Sequence, residues 1–388
     1  MPGYEFIGEE EEAAVAQVFK NGGVLFRHGF DALRQGSYKV KEFEELFAVK
    51  FEQDSALAVS SGTAALRVAL ASLGIGPGDE VVTQSFTFVA TVEAIVESGA
   101  TPVCAEIDDT LNISIEDLRS RITSRTKAVI AVHMLGNPAP VSELVNFCKE
   151  NDLYLIEDTA WGCGGSVDGK PLGTWGDVGA FSFDHAKVIT TGEGGMVIHK
   201  SPEHHAKARA WHDHGHENNP DLPRWEDSRS SSGFNFRMSE LQGAVGCAQL
   251  QKLDEIVAAQ RASAQMIRDV FRLSGIDDFR QEVVGAEPTD DAVVVFLESA
   301  ERAAFLRDCL ADFGLATKIL PEAMSWHFAG SWEHIKELKE RHGAITLESW
   351  PKSSDILSKA LAVAVPGKLP DDHLFRLKNA ITHFHGKA

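Results

Sequence analysis

The chain is short of anything that would cross-link it, tether it to a bilayer or draw it to a polyanion. Its five cysteines, Cys104, Cys148, Cys163, Cys247 and Cys309, are odd in number, scattered and without a CxxC pair. That argues against a disulfide framework and a thiolate zinc site, and it fits a reducing cytoplasm. No apolar run approaches the ~20 residues that span a bilayer. The opening MPGYEFIGEEEEAAV has acids where a secretion signal needs bases. Positive charge is scarce too: 37 basic residues face 57 acidic ones, a net charge of −20. Nucleic acid and anionic membrane are therefore not expected as partners, since both require clustered positive charge.

What is present is a globular composition over 388 residues, enough for two domains or one large one. From about residue 55, short apolar runs alternate with amphipathic stretches: EVVTQ, FVATVEAIVESGA, TPVCAEI, IEDLRSRI, KAVIAVHM, VSELVNFCKEN and LYLIED. This alternation is the signature of βαβ units on a mainly parallel, buried sheet, with the active site at strand C-terminal ends. After residue 237 a long helical stretch follows, MSELQGAVGCAQLQKLDEIVAAQRASAQMIRDVF, with Leu241, Val245, Leu253 and Ile256 at three- and four-residue steps. It is expected to bridge to a smaller C-terminal domain containing an AVVVFLE strand, an ERAAFLRDCLADFG helix and a terminal helix. Residues 217–233, ENNPDLPRWEDSRSSSG, read as a long mobile loop of the kind that covers active sites.

Five local signals carry chemistry. Ser60-Ser61-Gly62-Thr63-Ala64-Ala65 opens a helical run, where backbone N–H groups can hold a phosphate; the same residues also make an ordinary N-capped helix. Glu157-Asp158 ends the apolar LYLIED, which sets an acid at the ligand edge, as partner of a protonated ring nitrogen or as an N-cap. Lys187 lies in Phe181-Ser182-Phe183-Asp184-His185-Ala186-Lys187, between apolar residues and a glycine-rich turn containing Gly194 and Gly195. A lysine so flanked can be desolvated, which lowers its pKa and makes it an amine nucleophile for a Schiff base. Ser182 can donate to a phosphate. Phe88, just after a strand, can stack on a ring or be plain core. Asn235 and Arg237 project from the start of the long helix, to a phosphate, to a neighbouring chain or as caps. The His212, His214, His216 run gathers ligands on one face only as a strand, so no metal is expected.

The joint order of these signals resembles the DegT/StrS family of sugar aminotransferases. The resemblance covers nearly the whole chain: KEFEELFA, SSGTAALRVAL, GDEVVTQSFTFVATVEAI, HMLGNPAPVSEL, LIEDTAWG, GAFSFDHAKVITTGEGGMV and GFNFRMSELQGAVGCAQL. It implies an α/β chain with the aspartate aminotransferase fold, fold type I of the pyridoxal 5'-phosphate (PLP) transferases. A large domain with a mainly parallel seven-stranded sheet between helices would be joined to a smaller α+β C-terminal domain. The expected division is 1–248 for the N-terminal segment and PLP-binding domain, and 249–388 for the bridging helix and small domain.

The resemblance further implies that Lys187 carries PLP as a Schiff base and shuttles the proton, that Asp158 pairs with the pyridinium nitrogen, and that Phe88 stacks on the ring. Gly62, Thr63 and Ser182 would bind the phosphate, and Asn235 would reach the phosphate in the partner subunit of a homodimer with composite sites. Two features depart from the pattern or need weighing. Trp161 stands where many members have glutamine or histidine against the cofactor's phenolic oxygen, although its indole N–H can still donate. His185 lies near the position at which a dehydrating branch replaces the lysine, but the spacing from Ser182 and Gly194 keeps Lys187 in the lysine place. His185 is read as a residue in or behind the pocket.

The implied reaction moves an amino group from glutamate or glutamine to a keto or aldehyde sugar. Within the family, MPGYEFIG, FRHGFDALR, FSFDHAK and SWHFAGSWEHIKELK are most similar to enzymes acting at C8 of an oxidised 3-deoxy-manno-octulosonate, a free acid sugar. Arg27 and Lys39 are the candidate contacts for its carboxylate. The alternatives are a nucleotide-linked 3- or 4-keto-sugar aminotransferase, a PLP-dependent sugar dehydratase and an inert PLP-binding regulator.

Overall fold

A computed structural model describes residues 2–219 and 221–386. Seven strands form the main sheet: β1 (Ala56–Val59), β2 (Glu80–Gln84), β3 (Thr101–Ala105), β4 (Thr126–Val132), β5 (Tyr154–Asp158), then, beyond the two-residue β6 (Ser166–Val167) and β7 (Lys170–Pro171), β8 (Val178–Ser182) and β9 (Gly195–His199). Their order is β1-β9-β8-β5-β4-β2-β3. Strands β8, β5, β4, β2 and β3 pair in parallel, and β9 alone runs against its neighbours β8 and β1. The reversal at β9 has a simple cause: residues 183–194, which join it to β8, contain no crossover helix, so the chain turns back beside the strand it left.

Because β1, β2, β5 and β8 point the same way, their C-terminal ends share one edge of the sheet. Three short strands, β10 (Ala286–Glu287), β6 and β7, make a small satellite sheet. The C-terminal region is built on the antiparallel pair β11 (Ala292–Phe296) and β12 (Ala360–Ala364). Side-chain alternation divides this pair between two cores. Val293, Val295, Leu361 and Val363 pack on Leu306, Leu310, Leu377 and Phe384 of the helices Ala300–Asp312 and His373–Gly386. On the other face Ala292, Val294, Ala360 and Ala362 join the main core with Leu320, Phe328 and Trp350. That second face brings residues 317–328 to the edge of the large sheet.

The expected single bridging helix is two, Glu240–Gln251 and Leu253–Leu273, interrupted at Lys252. At that point the Lys252 ammonium is tied to the Phe6 carbonyl, Glu10 and Glu11 at 2.9, 3.0 and 2.9 Å. Described residues of the 217–233 loop make contacts: Arg224 pairs with Asp213 at 2.5 Å, and Asp227 accepts from the backbone N–H of Asn218 at 2.8 Å and Asn219 at 3.1 Å. Asp213 also contacts His28 and Arg237; burial opposes its charge, but the hydrogen bonds from His28, Arg224 and Arg237 hold its pKa far below the carboxylate range. All five cysteines are buried, and no disulfide joins any of them among the described residues. Among the described residues no helix is long and apolar enough to cross a membrane.

Candidate active site

A cavity of about 520 Å³ opens at the shared strand edge. Helix Gly62–Ser72 starts on its wall, with Ser61 as N-cap accepting from the Ala64 N–H at 3.0 Å. The first N–H groups, at Gly62 and Thr63, have no intrahelical partner and so remain available to an anion. Ser182 closes this cradle: a Cβ at Gly62 would lie 2.6 Å from Ser182 Cβ, so only glycine lets the helix start come this close. A Cβ at Gly195 would meet the Ser61 carbonyl at 2.4 Å, which explains a glycine where β9 passes the same turn.

The strand that delivers Ser182 is braced from behind by aromatic packing. Phe47 stacks on Phe51 with centroids 4.3 Å apart and meets Phe181 edge-on at 5.0 Å, while Phe43 lies 5.2 Å from Phe183. Four residues beyond Phe183, the Lys187 amine enters the cavity. Its Nζ sits 4.0 Å from the centroid of Trp161, and none of the described hydrogen bonds or ion pairs involves it. Burial lowers its pKa; Asp291 opposes the shift and Lys318 adds to it.

Asp158 faces the same space. Its carboxylate accepts from Thr91 Oγ1 at 2.8 Å and the Ala160 N–H at 3.2 Å, and none of the described ion pairs includes it. Burial therefore raises its pKa, and Thr91 and Ala160 only moderate the rise. Thr87 and Thr91, 2.8 Å apart, fix the hydroxyl that holds this carboxylate. Phe88 supplies an exposed aromatic wall, 5.4 Å from the His327 ring. His327 Nδ1 lies 3.0 Å from the Ala323 carbonyl, and burial lowers its pKa, so the neutral ring donates through Nδ1 and leaves Nε2 as a bare acceptor.

The cavity thus gathers Gly62, Thr63, Phe88, Asp158, Trp161, Ser182 and Lys187, together with Thr91, Lys318 and His327, which sequence reasoning had not singled out. Four candidates lie elsewhere. Arg27 forms a bidentate pair with Glu44 at 2.8 and 3.0 Å, and Lys39 pairs with Glu42 at 2.6 Å. His185 is exposed and stacks on Tyr4 at 5.0 Å, and Asn235 is exposed, bridged to Asp213. His212 and His216 are engaged with Arg27 and Asp227. PLP needs a phosphate cradle, an aromatic wall, an anion for its ring nitrogen and a reactive amine. The unpaired buried Asp158, the free helix start closed by Ser182, Phe88 and the unpaired Lys187 fit that list.

Fold and site together define the class of PLP-binding aminotransferase-type proteins. The chain belongs to the DegT/DnrJ/EryC1/StrS aminotransferase family, whose pattern it matches over residues 7–381. It is 42% identical to the GDP-perosamine synthase of Vibrio cholerae over 247 residues, 60% of this chain and 62% of that one. With the GDP-perosamine synthase of Escherichia coli O157:H7 it shares 35% identity over 287 residues, 73% and 76% of the two chains. Among solved structures, the aminotransferase from Psychrobacter cryohalolentis superimposes with a TM-score of 0.85 at 26% identity, over 98% of each chain.

Proposed function

We propose that this protein is a PLP-dependent aminotransferase that takes an amino group from glutamate or glutamine and places it on a keto or aldehyde sugar. The observation that carries this reading is a pair of unmatched groups on one cavity, the Lys187 amine and the Asp158 carboxylate. When bound, PLP supplies an electron sink and a carrier for the amino group.

Asp158 keeps a proton on the ring nitrogen, and the desolvation that raises its own pKa is relieved by that cationic partner. Lys187, its pKa lowered, spends more of its time as the neutral amine that takes a proton from the substrate carbon and returns it. Gly62, Thr63 and Ser182 hold the phosphate. Phe88 and Trp161 wall the ring space and exclude water, and the bare Nε2 of His327 accepts from a sugar hydroxyl.

The chain divides into a segment and cofactor domain, 1–248, and the second of the two bridging helices with the small domain, 249–388. It works as a homodimer in which Asn235, exposed and outside its own cavity, serves the partner's phosphate site. Buried cysteines without a described disulfide suit the cytoplasm. The sugar we assign is the oxidised 3-deoxy-manno-octulosonate, aminated at C8, supported by MPGYEFIG, FRHGFDALR, FSFDHAK and SWHFAGSWEHIKELK. A nucleotide-linked keto sugar is the second reading, favoured by the identity to two GDP-perosamine synthases.

Titration of the holoenzyme, followed by its visible spectrum, tests this. Glutamate should bleach the band of the lysine-bound cofactor and the true sugar should restore it; a band that glutamate leaves unchanged means that the aminotransferase reading is wrong.

A further inference from the structure

One cation of the cavity has no part in the chemistry above. Lys318 lines the cavity with Lys187, Trp161 and His327, and its side chain is only 10% exposed. Its Nζ lies 2.5 Å from Asp291 Oδ2, yet that oxygen takes part in no hydrogen bond, so the contact is ionic but off axis. An ammonium has three donors, and no described hydrogen bond uses any of those on Lys318. Its backbone is anchored by the Lys318 N–H donating to the Ala362 carbonyl at 2.7 Å, with Leu320 buried in the main core two residues on. Asp291 can take up at most one of the ammonium donors at this distance, so it positions the charge while leaving the other donors for something in the cavity.

With the helix start at Gly62 and Thr63 assigned to the phosphate, no other cation of the described lining is available to an acid group. Asp158, Asp184 and Glu193 repel it, Lys187 is committed to the reacting carbon, and the Nδ1 proton of His327 is directed at the Ala323 carbonyl. Lys318 depresses the pKa of both Lys187 and His327, which puts all three in one electrostatic neighbourhood.

We propose that Lys318, held by Asp291, is the residue that docks a substrate carboxylate in this cavity, so that the carbon to be aminated or deaminated lies at Lys187. The proposal rests on the aminotransferase reading and specifies the substrate chemistry. A carboxylate can come from the amino donor or from a sugar acid, and two half-reactions separate these sources.

The test is rapid-mixing spectroscopy of the holoenzyme, with glutamate in one arm and, on the pyridoxamine form, the oxidised 3-deoxy-manno-octulosonate and its methyl ester in the other. Lys318→Met should raise the half-saturating concentration about ten-fold or more, with a smaller effect on the limiting rate, in the glutamate arm, the sugar-acid arm or both. The arm that moves names the source, and the methyl ester should be insensitive to the substitution. Asp291→Asn, which removes the counter-ion but keeps the ammonium, should lower the half-saturating concentration in the same arm. Lys318→Gln serves if Lys318→Met does not fold. If neither arm moves, or if Lys318→Met and Asp291→Asn weaken both arms alike and lower the melting temperature alike, the pair only fastens the loop and the proposal is overturned. If wild-type protein itself does not respond to glutamate, the aminotransferase reading has failed first, and the proposal falls with it.

Discussion

Glu157 and Asp158 are consecutive carboxylates at the end of one strand, and they live in opposite surroundings. Alternation along β5 turns them to different faces of the sheet. Glu157, fully buried, accepts from the backbone N–H groups of Gly173 at 2.8 Å, Trp175 at 2.7 Å and Gly176 at 2.7 Å, and meets His133 Nε2 at 3.1 Å. Burial opposes its charge, but His133 and these backbone donors outweigh that and hold its pKa below the ordinary value. Asp158 has two described donors and belongs to no described ion pair; burial outweighs these donors and the more distant Lys187 and His133, so its pKa rises. The difference shows what a buried carboxylate costs when the fold completes its partners and when it stops short. At Glu157 the chain supplies three backbone donors and His133; at Asp158 it leaves a gap of the charge and position that would suit a protonated ring nitrogen.

Substitutions on the two sides should separate function from stability. The largest effect belongs to Lys187, on the Asp158 side: Lys187→Ala should reduce turnover on the order of 10⁴-fold or more, with an unchanged melting temperature, since the amine has no described hydrogen bond or ion pair to lose. Asp158→Asn should cost about 10²–10³-fold in turnover while leaving the cofactor-free protein as stable as wild type or more so. Glu157→Gln should do the reverse, lowering the unfolding free energy by about 3 kcal/mol in a denaturant titration, because an amide nitrogen then faces backbone donors, while turnover per folded molecule is largely kept.

These effects carry opposite pH signatures in cofactor-free protein. Glu157, with its lowered pKa, contributes stability that is complete above its ordinary value of 4.5 and is lost as the pH falls further, through its folded-state pKa. The gap between wild type and Glu157→Gln should shrink in that acid range. Asp158, with its raised pKa, imposes a penalty at neutral pH that fades as the pH falls through its folded value and vanishes below the ordinary 3.8. Smaller again, Gly62→Ala should weaken PLP binding about ten-fold in a fluorescence titration, because its Cβ would stand 2.6 Å from Ser182 Cβ. Least of all, Lys39→Ala, which breaks a pair with a partly exposed Glu42, should change stability by less than ~0.5 kcal/mol and PLP binding not at all.

Much of this site could be read from the sequence because its parts sit at junctions of a parallel sheet. Gly62 and Thr63 follow β1, Phe88 follows β2, Asp158 ends β5, and Ser182 ends β8 with Lys187 close behind. Once the strands are parallel, these ends must share an edge. Thr91, one helical turn beyond Phe88, lies in the same stretch, but a threonine inside an apolar helix carries no signal that separates it from core. Lys318 and His327 gave no such signal. They reach the cavity through the two-faced β11 and β12 pair, more than a hundred residues from Lys187, and no local pattern encodes that return. Arg27 and Lys39 stand out by charge and position in the N-terminal segment, and neither says anything about a nearer partner: Glu44 and Glu42 already claim them. The break at Lys252 was hidden because apolar periodicity runs through it.

The most direct measurement is the melting temperature of wild type, Asp158→Asn and Glu157→Gln, each with and without saturating PLP. Binding at a hundred times the dissociation constant is worth about 2.7 kcal/mol, a shift well within reach of a thermal scan. Glu157→Gln should start lower and show the full PLP shift, and Asp158→Asn should start at or above wild type and show little of it. Equal loss of the shift in both variants, or a full shift in Asp158→Asn, would contradict the assignment of Asp158 to the cofactor and of Glu157 to the fold.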